Sequence, residues 1–183
     1  GRIAKDETLA DIAAHPPRAQ GDLARVRGLS ASWSSNDIGG RLMGAIEAGV
    51  KANYTARGAL EGVLDAVRAS GGDPDALRPE DLVPFDSMHV GGARATADLV
   101  AGLDLAPGMQ VLDIGCGIGG PARQIAQRYG VTVVGADLTP ELVATATELS
   151  RRAGIEGVRF IEASALALPF EDASFDRALL IHV

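Results

Sequence analysis

Two acidic residues flank a glycine-rich segment, and this arrangement carries the strongest chemical signal in the sequence. Asp113 ends an apolar run and precedes glycines at positions 115, 117 and 119, whereas Asp137 ends the next apolar run. Because glycine has no Cβ, a ligand can approach the backbone of such a turn closely. An apolar strand that turns into Gly115, Gly117 and Gly119 therefore predicts a pocket for a nucleoside cofactor.

The two carboxylates discriminate between classes of nucleoside cofactor. Asp137 occupies a position from which an acid can accept hydrogen bonds from both hydroxyl groups of a ribose. Asp113 would repel a pyrophosphate but can bind an ammonium group, directly or through water. A cationic amino-acid nucleoside satisfies both acids, whereas a dinucleotide satisfies only Asp137. A nicotinamide-dependent enzyme is therefore disfavoured.

Short apolar runs alternate with amphipathic stretches after residue 107, which predicts an α/β protein with a parallel sheet and right-handed crossovers. Thr139 and Pro140 predict the N-cap and the first turn of a crossover helix. The sequence stops directly after the fourth predicted strand, so the sheet is expected to be incomplete at its C-terminal end. The predicted strands cover 110–114, 131–136, 158–162 and 175–181, and the helices cover 120–129 and 140–153.

Helices are also predicted upstream of the sheet, over residues 54–67 and 93–103. Glycine and proline interrupt the first of them after residue 69. Pro79 and Pro84 stand at the two ends of residues 79–84. We predict that this segment is an extended connector, because proline disfavours a continuing helix.

Two histidines are candidate catalytic residues. His182 follows the fourth predicted strand, at the edge where open α/β sheets present their ligands, and His89 lies in the segment before the sheet. Either imidazole could orient or deprotonate an acceptor near neutral pH, and a structural role is the alternative for each. Cys116 is the only cysteine; it excludes an internal disulfide, and we interpret it as a small residue that fills the glycine turn. No metal site is predicted.

Composition and charge limit the remaining function classes. The chain has 183 residues, of which 46% are apolar, and this supports a buried core. The sequence contains neither an apolar stretch long enough to span a membrane nor a secretory signal, so we expect a cytoplasmic protein without a membrane partner. Residues after position 50 contain 18 acidic and 11 basic side chains. This excess of acidic groups disfavours an extended nucleic-acid-binding surface there.

Four segments in a consistent order carry a family resemblance, namely residues 85–92, 111–122, 134–139 and 167–176. They are similar to the lid, the first motif, the second motif and the approach to strand four of the class I S-adenosylmethionine-dependent methyltransferases. The subgroup that acts on sarcosine, dimethylglycine, sterols and quinones is the most similar. The resemblance implies a Rossmann-like fold, S-adenosyl-L-methionine as the cofactor and a small-molecule methyl acceptor. The cofactor-binding residues that it implies are Asp113, Gly115, Cys116, Gly117, Gly119, Asp137, Leu138, Ser164 and Ala165.

One position departs from that family. Many members have an acidic residue after the third strand, which accepts a hydrogen bond from the adenine amino group, and Ser164 stands at this position here. A serine hydroxyl can also accept this bond, although neutral hydrogen bonds are weaker than charge-assisted ones. The alternative role for Ser164 is that of a helix N-cap.

Residues 1–50 predict a small all-helical module with no net charge, since six basic and six acidic side chains balance. Residues 5–9, the pair Pro16 and Pro17, and above all residues 22–30 resemble the HRDC module of ribonuclease D. That resemblance implies nucleic acid binding, here a weak RNA contact through residues 1–50. The metal-binding carboxylates of the nuclease would precede this segment, so no nuclease activity is expected.

The sequence thus predicts an HRDC-like helical module over residues 1–50, a helical lid region over 51–106 and a truncated Rossmann-like domain over 107–183. The expected function is methyl transfer from S-adenosyl-L-methionine to a small molecule. The alternative is a non-catalytic RNA-binding accessory fragment derived from the C-terminal part of ribonuclease D.

Overall fold

A computed structural model describes residues 58–85 and 91–181. The predicted HRDC-like module and the two candidate histidines, His89 and His182, lie outside the described residues. The described residues belong to the part of the chain that resembles a methyltransferase.

A four-stranded, wholly parallel sheet forms the centre of this part. Its strands are β1 (Gln110–Ile114), β2 (Thr132–Asp137), β3 (Val158–Glu162) and β4 (Arg177–Leu180). They lie side by side in the order β3-β2-β1-β4, and the two inner strands are buried along most of their length, which explains why their sequences are mostly apolar. The predicted Rossmann-like parallel sheet is confirmed.

Helices precede the sheet and connect its strands. Thr139 occupies the N-cap of helix α5 (Pro140–Arg152), and Pro140 lies in its first turn, as predicted. The Thr139 side chain makes no capping hydrogen bond. A short 3₁₀ segment, Ala101–Leu103, completes the helix that was predicted as one unit over 93–103. The α-helices are α1 (Ala59–Ala69), α2 (Pro79–Leu82), α3 (Gly92–Val100), α4 (Gly120–Tyr129) and α5 (Pro140–Arg152).

The prediction of an extended connector over 79–84 is wrong, because residues Pro79–Leu82 form the one-turn helix α2. The Arg78 backbone N–H donates to Asp81 Oδ2 at 3.0 Å, and the guanidinium donates to Asp81 Oδ1 at 2.7 Å. These bonds lower the pKa of Asp81, with the Arg78 side chain as the largest cause. Proline at the first helical position fits such a turn, since its missing N–H has no helical partner to lose.

The two faces of the sheet are packed differently. On one face Val111 and Val133 contact the apolar side of α4, including Ala122 and Ile125. On the other face Leu112, Val134 and Ala136 pack against loop residues from the segment between β3 and β4, namely Leu168, Phe170 and Phe175. Side chains alternate between faces along a strand, so Asp113 points to the same face as Val111.

A carboxylate joins the beginning of the edge strand β4 to the central strand β1. Asp176 Oδ2 accepts a hydrogen bond from the Gln110 N–H at 2.8 Å, and the Asp176 N–H donates to the Gln110 carbonyl oxygen at 2.9 Å. Asp176 therefore extends the ladder by one residue before the strand proper, which fixes the register of β4.

We expect Asp176→Ala to loosen β4 by about 1 kcal/mol, because one hydrogen bond to a carboxylate is lost. Hydrogen exchange of the Arg177–Leu180 amides should accelerate, while that of the β3 amides stays unchanged. Asp172→Ala is the matched control, since Asp172 is exposed and its side chain makes no hydrogen bond within the described residues. Equal exchange in both variants would contradict the role of Asp176.

Candidate cofactor-binding site

The glycine loop turns sharply at the end of β1 and is tied to the neighbouring strand. The N–H groups of Gly115 and Cys116 both donate to the Ala136 carbonyl oxygen, at 2.8 and 3.2 Å. Gly115, Gly117 and Gly119 have φ angles of 72°, 53° and 82°. These values lie in the left-handed region, where a Cβ is strained, so the loop depends on glycine at each of the three positions.

Asp137 connects the end of β2 to the glycine loop. Its Oδ2 accepts a hydrogen bond from the Gly117 N–H at 2.9 Å, and its Oδ1 accepts one from the Thr139 N–H at 2.9 Å. Each carboxylate oxygen has two lone pairs, so one acceptor position on each oxygen remains for a ligand. Asp137 is half-buried and borders the loop.

Asp113 lies in an unfavourable environment for a charge. Its side chain is only 1% exposed, and its Oδ2 has no hydrogen-bond partner among the described residues. Burial, followed by the negative charge of Asp137, raises the pKa of Asp113 to about 7. A buried carboxylate without a partner is costly, so a cationic group that approached it would be strongly stabilised.

Cys116 has the structural role that the sequence predicts. Its side chain is buried, and burial, followed by the charges of Asp113 and Asp137, raises the pKa of its thiol. A thiol held protonated in this way is a poor nucleophile. Cys116 therefore fills space beside the loop.

Ser164 and Ala165 lie in a turn that follows β3. The Ser164 hydroxyl accepts a hydrogen bond from the Leu166 N–H at 3.2 Å, and the Ser164 carbonyl accepts one from the Ala167 N–H at 3.0 Å. No helix begins there within the described chain, so the alternative role of Ser164 as a helix N-cap is wrong. The hydroxyl stabilises a turn instead.

The parallel strands bring the predicted cofactor-binding residues to one edge of the sheet, because β1, β2 and β3 all end there. Sequence reasoning missed one structural contributor to this edge, the ring of Phe160, and assigned the buried Thr139 only as an N-cap. Gly135 could have indicated the position of Phe160, since a glycine inside a strand often marks a place where another group approaches the backbone closely. Nothing in the sequence singled out the backbone N–H of Thr139.

The sequence model of the methyltransferase domain family matches residues 111–183, which begin at β1 and include the glycine loop. A 2-methyl-6-phytyl-1,4-hydroquinone methyltransferase of Synechocystis is 47% identical over 106 residues, which are 57% of this chain and 31% of that protein. The methyltransferase resemblance is confirmed. Residues 111–183 thus resemble a methyltransferase domain in sequence.

A solved structure supports the same assignment. Phosphoethanolamine N-methyltransferase 2 of Haemonchus contortus, crystallised with S-adenosyl-L-methionine, superposes with a TM-score of 0.50 at 31% sequence identity. The superposition covers 52% of this chain and 22% of that one. The cofactor in that crystal belongs to that protein.

The resemblance to ribonuclease D is also confirmed in the N-terminal sequence. Ribonuclease D of Zymomonas mobilis is 79% identical over 47 residues, which are 26% of this chain and 12% of that protein. The chain therefore spans only 12% of this relative and 31% of the hydroquinone methyltransferase.

Two further features concern the described residues alone. None of their helices is long and apolar enough to cross a membrane. Within 58–85 and 91–181, no three or more His, Cys, Asp and Glu side chains gather in a way that could hold a metal ion.

The raised pKa of Asp113 predicts a pH-dependent stability. A carboxyl group in an unfolded chain titrates near pH 3.9, so the folded state binds this proton more tightly than the unfolded state. The contribution of Asp113 to folding stability is thus highest below about pH 4. It falls by about 4 kcal/mol as the pH rises to about 7. Asp113→Asn should remove this loss, so it should stabilise the chain at pH 8 but not at pH 4.

Urea denaturation gives the free energy of unfolding of the parent and of Asp113→Asn at pH 4 and at pH 8. The difference between parent and variant at each pH isolates Asp113, because the other titrating groups contribute equally to both proteins. A stability gain of the same size at pH 4 and at pH 8 would show that Asp113 does not titrate in this range.

Proposed function

We propose that this chain supplies the cofactor-binding part of an enzyme that transfers a methyl group from S-adenosyl-L-methionine to a small-molecule acceptor. One observation carries the proposal: a glycine loop is held at the carboxyl edge of a parallel sheet between two carboxylates. Asp113 lies buried before the loop, and Asp137 is bonded to the loop at Gly117. The similarity to methyltransferases in sequence and in structure supports it.

The residues present fit the proposed cofactor. Asp137 accepts one backbone N–H on each oxygen, and the remaining lone pairs suit the two hydroxyls of a ribose. Leu138 is half-buried beside it and offers apolar surface to the nucleoside. Ser164 is the proposed acceptor for the adenine amino group, with Ala165 next to it on the same turn.

The methionine part of the cofactor belongs near Asp113 in this proposal. The buried Oδ2 of Asp113 lacks a partner within the described chain, and an ammonium group can supply one, directly or through water. The glycine loop between Asp113 and Asp137 leaves the backbone of Gly115 and Gly117 accessible to a ligand. A pyrophosphate would place negative charge next to Asp113, which opposes a dinucleotide.

The sulfonium of S-adenosyl-L-methionine supplies an activated methyl group. The protein then needs chiefly to align the acceptor and to exclude water. His89 and His182 stay predictions as residues that orient or deprotonate the acceptor. The domain boundaries and the cytoplasmic location also stay predictions.

The decisive experiment is calorimetric titration of the chain with S-adenosyl-L-methionine. We expect binding, and we expect Asp137→Ala to weaken it by about tenfold to a hundredfold, because hydrogen bonds to a charged group contribute about 1.5–3 kcal/mol. The loss combines the ribose acceptor with the bond to Gly117.

Asp75→Ala is the matched control, since Asp75 is exposed in the turn that follows α1 and should leave the affinity unchanged. NADH serves as the competing ligand. Tighter binding of NADH, or equal affinity of parent and Asp137→Ala for S-adenosyl-L-methionine, would contradict the proposed site.

A second, independent proposal concerns RNA. We infer from the 79% identity to ribonuclease D that residues 1–50 make a weak RNA contact. Their charges balance, so the contact would depend on a few local basic groups and backbone amides.

A gel-shift titration with short single-stranded RNA measures this contact. We expect a shift at low salt that is lost at moderate salt, because phosphate binding releases counterions. Arg25→Ala combined with Arg27→Ala should abolish the shift, whereas Arg94→Ala, outside this segment, should not. The absence of any shift at low salt would contradict the RNA proposal without affecting the cofactor site.

A further inference from the structure

The ring of Phe160 occupies space that two glycines leave open. A Cβ built on Gly119 would lie 2.6 Å from Phe160 Cζ and 2.7 Å from Phe160 Cε1. A Cβ built on Gly135 would lie 2.5 Å from Phe160 Cδ1 and 2.8 Å from Cys116 Sγ. Carbon atoms do not approach each other this closely, so the ring fits only because both positions lack a side chain.

The strand register explains how one ring reaches both glycines. Gly135 of β2 pairs with Phe160 of β3 on one side and with Asp113 of β1 on the other. Side chains at paired positions point to the same face of the sheet, so the Phe160 ring lies over the backbone of Gly135. The far edge of the ring then contacts Gly119, the last glycine of the loop and the N-cap of α4.

We propose that Phe160 is a positioning residue, which holds the glycine loop in its binding conformation from the side of the sheet. The proposal rests on the proposed function, because it assigns to the loop the task of binding the cofactor. Phe160 itself does not need to touch the cofactor. It acts through Gly119 and Cys116. The ring packs against Gly119, and the ring and the Cys116 side chain both lie over the backbone of Gly135.

Physical reasons favour a rigid contact at this place. Gly115, Gly117 and Gly119 all have large conformational freedom in the unfolded chain, so an unsupported loop would sample many shapes. A ligand that binds such a loop must first order it, and this lowers the affinity. A flat ring packed against Gly119 removes part of that freedom before the ligand arrives.

The sharpest variant is Phe160→Leu. Leucine keeps carbon atoms near the Cδ position that faces Gly135, but it lacks the Cε1 and Cζ atoms that face Gly119. We expect the amides of residues 115–119 to exchange hydrogen about tenfold faster in this variant, while those of β1 and β2 change little. The affinity for S-adenosyl-L-methionine should fall about tenfold, as the ordering cost of the loop rises.

Phe170→Leu is the matched control. Phe170 is also half-buried, but it packs with Phe175 against the opposite face of the sheet. The two variants remove the same carbon atoms, so a general loss of packing would affect both equally. We expect Phe170→Leu to lower the melting temperature by a similar amount, with unchanged exchange in the loop and unchanged cofactor affinity.

A double-mutant cycle tests the contact without any cofactor. Gly135→Ala should strongly lower the urea midpoint of the parent, and the same change should cost less in a Phe160→Ala background, where the clash with the ring is gone and only the clash with Cys116 remains. Loop exchange that stays at the parental rate in Phe160→Leu, or additive effects in the cycle, would overturn the proposal. Absence of S-adenosyl-L-methionine binding by the parent chain would instead refute the proposed function, and the exchange and cycle data would still decide the role of Phe160.

Discussion

The carboxylate of Asp137 receives two backbone hydrogen bonds, and the arrangement of the site depends on them. One comes from Gly117 in the loop after β1 and the other from Thr139 at the start of α5. The glycine loop and the turn between β2 and α5, which lie about 20 residues apart along the chain, thereby converge on one side chain. Because buried backbone N–H groups require partners, the acid both completes the local fold and fixes the edge at which a ligand would bind.

A second carboxylate opposes this stabilisation. Asp113 is surrounded by the packed interior, with Leu179 and Gly135 as its paired neighbours on the adjacent strands. Its desolvation is unfavourable for folding, and its position beside Asp137 increases that cost. A positive group close to Asp113 would offset this cost. The two acids therefore differ in what they contribute to the fold: Asp137 accepts hydrogen bonds that build the loop, whereas Asp113 is buried with an oxygen that has no hydrogen-bond partner among the described residues.

The regular elements of this fold were largely predictable. The strand prediction for 110–114 matches β1, and the helix prediction for 120–129 matches α4, because each combines a clear apolar period with glycine or proline at its end. The connector over 79–84 was mispredicted because its helix is a single turn stabilised by Arg78 and Asp81, and one turn is too short to show a period. The candidate cofactor-binding residues could be identified as motif members, although their hydrogen bonds could not be predicted.

The sequence by itself determined the order of strands and helices, the need for glycine at three loop positions, and the identity of the two acids. These are local properties, since they follow from apolar periodicity and from the φ angles that a residue without a Cβ allows. Only the tertiary structure decided that Asp137 binds the loop amide, that Asp113 is desolvated and that Phe160 fills the space above Gly135. Each of these depends on which strands become neighbours and in what register, and pairing between distant segments leaves no periodic trace in the chain.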